Sequence, residues 1–243
     1  MTTDSYVHSH KDPGKGKQYD SFYATDPWHV YLWGREQAVL RQLLRDQFGD
    51  RPIDLLDFAC GTGRITSALE PHVRSAVGVD VSPSMLAQAR EKLQRTELVE
   101  GNLLEGDLLA GRRFNLITAF RFFVNAEPGL RLAAIKALAP LLTEDGCLVF
   151  NNHQNLGSAY IQITKAYARL KGFKFANTLS IAECETLCAA AGLRITRIYP
   201  VAMFHLPRLH FPPAVYRAAD AVGAWSPAFA RHAECPIIVA RRT

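Results

Sequence analysis

The chain has 243 residues, of which 48% are hydrophobic and 21% charged, a balance that fits a folded protein with a sizeable core. Its formal charge of +5 comes from 28 Lys and Arg against 23 Asp and Glu, and because no dense basic run accompanies it we expect no nucleic-acid partner. No stretch approaches ~18 consecutive apolar residues, so we expect no membrane partner.

The polar residues 1–18 lack the apolar centre of a secretion signal and are predicted to form a flexible tail. The five cysteines contain no CxxC pair, which favours reduced thiols and a cytoplasmic protein. Cys184 and Cys188 fall one helical turn apart, a spacing that favours two buried thiols over a metal pair. We therefore expect no metal site.

After the tail, residues 19–33 are rich in aromatic side chains and are predicted to begin one or two helices. The helical pattern continues through Phe48, since Val39, Leu40, Leu43 and Leu44 share one face.

Residues 51–150 alternate between strand and helix patterns, which predicts a mostly parallel sheet covered on both faces. Ser82 and Pro83 fit the start of the second helix, as N-cap and first helical residue. The predicted strands are Ile53–Phe58, Ser75–Val81, Glu97–Glu100, Phe114–Phe120 and Cys147–Asn151; the predicted helices start at Ile65 and Ser82 and span Leu130–Leu142.

The pattern is less regular beyond residue 151. Ser180 and Glu183 form a capping-box pattern, and Gly192 is a typical helix stop. Two more strands are predicted at Ile195–Met203 and Pro236–Ala240, with short helices beginning at Pro212–Pro213 and Ser226–Pro227 between them.

The loop LLDFACGTGRIT, residues 55–66, joins the first strand to a helix and carries closely spaced small residues. A dinucleotide fingerprint needs a third small residue where this chain has Thr66, and a Walker loop needs Lys-Ser/Thr where it has Arg64-Ile65. Both phosphate-binding interpretations are therefore disfavoured, although an unrelated dinucleotide-binding sheet stays open as an alternative.

The same loop resembles the first motif of class I S-adenosylmethionine-dependent methyltransferases, with Ala59 in place of the usual first glycine. AVGVDVSPSML, VEGNLL and FNLITAF then resemble that family's second, third and fourth strand motifs, in order, over about residues 50–150. The resemblance implies a Rossmann-like doubly wound α/β sheet, mostly parallel with one antiparallel strand near the C-terminus. It implies one methyltransferase domain over residues 19–243, with helical lid segments at about 19–45, 151–179 and 204–234.

By resemblance, the cofactor is S-adenosylmethionine: the loop backbone lies against its methionine end, Asp57 orients the ammonium group, and Asp80 accepts the ribose hydroxyls. Bracing of the loop by Asp57, and a favourable interaction of Asp80 with a helix N-terminus, are the alternatives for these acids. Asn102 is preferred over Asp107 as acceptor for the adenine amino group. The implied cofactor-binding residues are Tyr19, Tyr23, Asp57, Ala59, Gly61, Gly63, Asp80, Val81, Met85, Asn102, Leu103 and Phe120.

The strand ends also supply candidates for catalysis. His153, just after the fifth strand, is the candidate general base, and Arg121, just after the fourth, the candidate contact for an anionic group; His205 and His210 rank second. We expect a small-molecule acceptor methylated on oxygen, with N-methylation second and a non-catalytic cofactor-binding module as a third alternative. The oligomeric state is left open.

Overall fold

A seven-stranded sheet organises the computed structural model, which describes residues 25–106, 108–173, 177–203 and 212–243. The predicted tail at 1–18 lies outside the described residues, as do Tyr19, Tyr23, Asp107, His205 and His210. The strands are β1 (Asp54–Phe58), β2 (Ser75–Asp80), β3 (Glu97–Glu100), β4 (Phe114–Ala119), β5 (Leu142–Asn151), β6 (Leu193–Tyr199) and β7 (Ile237–Arg242).

Helices cover the sheet and form most of the segments between strands. Asp26 caps the first of them by accepting a hydrogen bond from the His29 amide at 3.0 Å. The described α-helices are α1 (Pro27–Phe48), α2 (Arg64–Leu69), α3 (Pro83–Lys92), α4 (Pro128–Leu138), α5 (Ala159–Leu170), α6 (Ile181–Ala189), α7 (Pro213–Ala224) and α8 (Pro227–Ala230). Within the described part of the chain, none is long and apolar enough to span a membrane.

The strand order is β3-β2-β1-β4-β5-β7-β6, with β7 antiparallel to both of its neighbours and the other pairs parallel. This confirms the predicted sheet with one antiparallel strand near the C-terminus. From β1 the chain adds β2 and β3 on one side of the sheet and then β4 and β5 on the other, so a topological switch point lies between β1 and β4. In such sheets ligands bind beside the switch point, at the carboxyl ends of the strands.

The core lies on both faces of the sheet because neighbouring residues of a strand point to opposite sides. In β1, Leu55 packs with Leu40 and Leu43 of α1, whereas Leu56 packs with Ile135 of α4 on the other face. Nearly continuous apolar runs in β1, β2 and β4 follow from this burial on two faces.

Local sequence determines where several helices begin. Ser82 is the N-cap of α3 with Pro83 at its first position, and Ser180 and Glu183 form the capping box of α6, so both predictions are confirmed. Pro213 and Pro227 likewise begin α7 and α8.

Candidate functional site

The loop between β1 and α2 turns sharply because three of its residues take left-handed backbone conformations. Ala59, Gly61 and Gly63 have φ values of 54°, 55° and 74°. A Cβ atom at Gly63 would lie only 2.9 Å from the Leu93 side chain, which follows α3. The lack of a side chain at Gly63 therefore lets the loop pack against the end of α3. Ala59 takes the same kind of conformation with a Cβ, which costs roughly 1–2 kcal/mol relative to ordinary backbone.

Asp57 braces this loop through hydrogen bonds to its buried carboxylate. It is buried in β1, and its carboxylate accepts hydrogen bonds from Thr66 Oγ1 at 2.5 Å and Thr118 Oγ1 at 2.7 Å. Burial raises the pKa of Asp57 to about 6, although both hydroxyls favour the charged form. Asp57 thus braces the loop through two threonine hydroxyls and not through backbone amides. Its contact with the ammonium group of the cofactor stays a prediction.

Asp80 lies at the carboxyl end of β2 and holds the same loop from the side. Its Oδ2 accepts from the Gly61 amide at 2.8 Å and its Oδ1 from the Ser82 amide at 2.9 Å. These two backbone contacts fix the orientation of the carboxylate at the edge of the sheet.

A largely apolar cleft opens beside Asp80, and we call it the Asp80 cleft. Asn102 lines it, but its side chain also holds a local turn, since Oδ1 accepts from the Leu104 amide at 3.1 Å. The lining residues are Phe58, Ala59, Val79, Asp80, Val81, Gly101, Asn102, Leu103, Leu104, Phe122 and Leu130. Met85 and Phe120 are buried and are not among them.

A second cleft, with a volume of about 370 Å³, lies at the ends of β4 and β5, and we call it the His153 cleft. It brings together both residues that the sequence proposed for catalysis, His153 and Arg121. The lining residues are Trp28, His29, Leu32, Arg121, His153, Gln154, Tyr160, Ile161, Thr164, Glu234 and Cys235.

His153 is a buried imidazole held in its neutral form. Only 7% of it is exposed, and in the described structure its Nδ1 has no hydrogen-bond partner. Burial, together with the nearby Arg121 and Arg64 guanidinium groups, lowers the pKa of His153 well below its usual value of 6.5. At neutral pH the ring is therefore uncharged, and its unprotonated nitrogen can accept a hydrogen bond.

A buried ion pair that the sequence analysis missed connects α1 to the loop. Glu36 is fully buried and accepts from Arg64 NH1 at 2.7 Å, while the Arg64 guanidinium lies 4.4 Å above the Trp33 ring. Asn151 donates to Glu36 at 3.4 Å and accepts from the Arg121 amide at 2.7 Å. Spacing offered a signal for Glu36, since it shares a helix face with Leu40 and Leu43.

Helices α1 and α7 meet over the His153 cleft. The rings of Trp28 and Tyr31 pack on Tyr216 with centroid separations of 5.5 and 5.0 Å. Arg35 Nε donates to the buried Asp220 carboxylate at 2.8 Å. Part of the predicted aromatic cluster therefore anchors α1 to α7. No group of three or more potential metal ligands occurs among the described residues.

A methyltransferase-domain family model matches residues 55–146, the segment that holds both the loop and Asp80. Residues 55–146 thus match a methyltransferase domain, in agreement with the resemblance of this segment to the class I S-adenosylmethionine-dependent methyltransferases. The match ends before α5, α7 and α8, so it covers the sheet that carries the Asp80 cleft but not all the walls of the His153 cleft.

Curated relatives of this chain match over part of their length. Nodulation protein S of Sinorhizobium fredii is 27% identical over 137 residues, which is 53% of this chain and 61% of that protein. The dTDP-3-amino-3,6-dideoxy-alpha-D-glucopyranose N,N-dimethyltransferase of Streptomyces fradiae is 30% identical over 138 residues, or 56% of this chain and 48% of that enzyme. The chain thus matches less than two thirds of either relative.

Solved structures share the fold of this protein along nearly the whole chain. A possible histamine N-methyltransferase from Thermotoga maritima has a TM-score of 0.66 at 15% identity, covering 96% of this chain and 99% of that one. The magnesium protoporphyrin IX methyltransferase of Synechocystis with bound SAH has a TM-score of 0.63 at 16% identity, covering 100% and 90%.

Proposed function

We propose that the protein transfers a methyl group from S-adenosylmethionine to a small molecule, with oxygen as the preferred acceptor atom. The observation that carries this proposal is the pair of clefts along one edge of the sheet, each with a different chemistry. The Asp80 cleft combines apolar walls with an oriented carboxylate, and the His153 cleft combines a neutral imidazole with a guanidinium group.

The residues of the Asp80 cleft fit the adenosine part of the donor. Asp80 can accept hydrogen bonds from ribose hydroxyls, and the apolar side chains of Val79, Val81 and Leu103 can contact both faces of a purine. Asn102 can add an acceptor for the adenine amino group. When bound, S-adenosylmethionine supplies an activated methyl group.

The residues of the His153 cleft fit the acceptor. In this proposal His153 takes the proton of an acceptor hydroxyl, and Arg121 binds an anionic group of the acceptor or the donor's carboxylate; both residues line the cleft. Apolar walls from Trp28, Leu32 and Ile161 would exclude water and align the nucleophile. The described parts of the proposed lid segments, 19–45, 151–179 and 204–234, supply most of these walls.

N-methylation is the second candidate, because one relative is named as an N,N-dimethyltransferase of an amino sugar. A neutral imidazole beside the nucleophile serves a hydroxyl, which must lose a proton, more directly than an amine that is already uncharged. A non-catalytic cofactor-binding module remains the third alternative.

Thermal melting with the donor and its product tests the cofactor, and a panel of small molecules tests the reaction. We expect S-adenosylmethionine and S-adenosylhomocysteine each to raise Tm, since ligands that bind only the folded state stabilise it. Transfer of a labelled methyl group to hydroxyl-bearing panel members would support O-methylation, and transfer to amines alone would favour the second candidate. No shift in Tm with either ligand would refute the proposal.

Replacing Asp80 with alanine should weaken S-adenosylhomocysteine binding by about 1–3 kcal/mol, because a charge-assisted hydrogen bond to ribose is lost. Calorimetry with S-adenosylhomocysteine and its 2′-deoxy analogue separates this role from loop bracing. If Asp80 binds the ribose, D80A loses less affinity for the deoxy analogue than for the intact ligand. Equal losses would assign Asp80 to the loop alone.

A further inference from the structure

Another cleft lies at the edge of the sheet opposite the Asp80 and His153 clefts, and we call it the Arg41 cleft. It forms where α1 ends and where β1 and β2 begin, whereas the other two clefts lie at the carboxyl ends of strands. Its volume of about 490 Å³ falls within the range of small-molecule sites. The charged side chains that line it, together with one imidazole, are Arg41, Arg45, Asp50, Arg51, His72 and Arg74.

Two of the four arginines are held in place by acids that do not line the cleft. Arg51 pairs with Asp145, and Arg74 pairs with Asp54. Arg74 contacts its partner through Nε and NH2, so its NH1 group keeps its donors for a ligand. These ion pairs orient both guanidinium groups at the wall of the cleft, while the two carboxylates offset their charge.

The other two arginines supply charge that no acid offsets directly. Arg41 and Arg45 lie four residues apart on α1, are both exposed, and form no ion pair with any residue that the structure describes. Like charges at this spacing on a helix repel each other. The dipole of α1 favours a cation in its last turn, which accounts for Arg45 but not for Arg41, one turn earlier. An anion bound between them would offset the repulsion.

We propose that the Arg41 cleft binds the phosphate group of a phosphorylated small molecule, at a site separate from the two clefts of the proposed reaction. Arg41, Arg45 and NH1 of Arg74 present guanidinium donors to one cavity, and the planar fork of N–H groups in arginine matches phosphate oxygens. The ring of His72 can add a further hydrogen bond. Asp50 opposes an anion and should limit the affinity.

The shape of the site favours a small molecule over a nucleic acid. The arginines line one concave cleft, whereas a nucleic-acid backbone is contacted by basic residues spread along a face or a helix. The cleft is also larger than one phosphate group needs, so it has room for the rest of a phosphorylated molecule. This binding does not depend on the proposed methyl transfer.

Calorimetry with phosphate, pyrophosphate and tripolyphosphate at constant ionic strength tests the proposal. We expect tripolyphosphate to bind more tightly than phosphate, and S-adenosylhomocysteine not to compete with it, because the clefts lie at opposite edges of the sheet. R41Q/R45Q should bind tripolyphosphate at least about tenfold more weakly while keeping the wild-type Tm, because both side chains are exposed. Its control, R90Q/R194Q, makes the same charge change at exposed positions on α3 and β6 and should stay within about twofold of wild type.

A variant of Asp50 should bind more tightly than wild type. D50N removes the one acid that lines the cleft and should strengthen tripolyphosphate binding by up to about fivefold. E91Q, at an exposed position on α3, makes the same charge change and should bind like wild type.

Three outcomes of the calorimetry would overturn the proposal. They are no binding of any of the three phosphates at millimolar concentration, equal binding by R41Q/R45Q and R90Q/R194Q, and competition between tripolyphosphate and S-adenosylhomocysteine. A single-stranded oligonucleotide that binds more tightly than tripolyphosphate, and is lost equally in R41Q/R45Q, would assign the cleft to nucleic acid instead.

Discussion

Replacing His153 with glutamine should lower kcat by roughly 10²–10⁴-fold, the range expected when a positioned general base is removed. Glutamine keeps the polarity of the site but cannot take a proton at neutral pH. Single-turnover transfer of a labelled methyl group measures the effect on the chemical step. The binding of S-adenosylhomocysteine should be unchanged, because His153 lies outside the Asp80 cleft.

His232→Gln is the matched control for this substitution. His232 is an exposed histidine whose Nδ1 lies 2.9 Å from the Gly157 carbonyl oxygen, and it does not line the His153 cleft. H232Q should therefore retain kcat within about twofold, as expected for a residue outside the reaction. An H153Q enzyme with wild-type kcat would exclude base catalysis by His153 and leave it a wall of the cleft.

The pH dependence of the methyl-transfer rate gives a second test of base catalysis by His153. Since burial and two guanidinium groups hold the pKa of His153 well below 6.5, the ring is neutral across the neutral range. The wild-type rate should then show no inflection near pH 6.5 and should fall only as pH drops through the lowered pKa. The free energy of unfolding should also fall as pH falls. Below pH 6.5 the unfolded chain binds a proton at this histidine and the folded chain does not, so His153 lowers stability there.

Replacing Glu36 with glutamine should lower the free energy of unfolding by about 3–5 kcal/mol, because it removes the carboxylate that pairs with the buried Arg64 guanidinium. In a chain of this size, that loss corresponds to a fall in Tm on the order of 10 °C. Urea denaturation without ligand measures it. The m-value should stay constant, since the unfolded chain exposes the same surface.

The pair Arg112 and Glu97 provides the control, because it joins the same kinds of group at 2.9 Å on the surface, with Glu97 57% exposed. Glu97→Gln should cost at most about 1 kcal/mol. Replacing both buried partners, as in E36L/R64M, should recover much of the stability that E36Q loses. If E36Q costs no more than E97Q, the buried pair does not hold α1 to the loop.

Much of the sheet could be predicted because its strands are short apolar runs bounded by turn residues. Strand β5 starts at Leu142, five residues before the predicted Cys147, and two other predicted ends are wrong because a proline follows. Helix α4 ends at Leu138, earlier than the predicted Leu142, since Pro140 restricts the residues before it and a 3₁₀ turn forms at Ala139–Leu141. Strand β6 ends at Tyr199 and not at Met203, because Pro200 has no amide to donate to the sheet.

Part of the candidate site could likewise be predicted from local sequence, and part could not. The loop and Asp80 follow a local pattern, so the sequence locates them, and His153 and Arg121 follow from their positions after strands. The walls of the His153 cleft come from α1, α5 and the residues before β7, which are distant in the chain. No local sequence pattern predicts that such distant segments come into contact. For the same reason the Glu36–Arg64 pair, 28 residues apart, became visible only in the fold.

The direction of β7 has a consequence for how this protein can diversify. Because β7 alone runs against the other strands, the chain leaves β6 and enters β7 at the same edge of the sheet as the clefts. The whole connection over residues 200–236 is therefore tethered at both ends to a rigid strand pair. Its length and composition can change during evolution, or be exchanged in a chimera, while the register of β6 with β7 and the donor half stay intact. Under the proposed function, acceptor preference would therefore be able to evolve separately from donor binding.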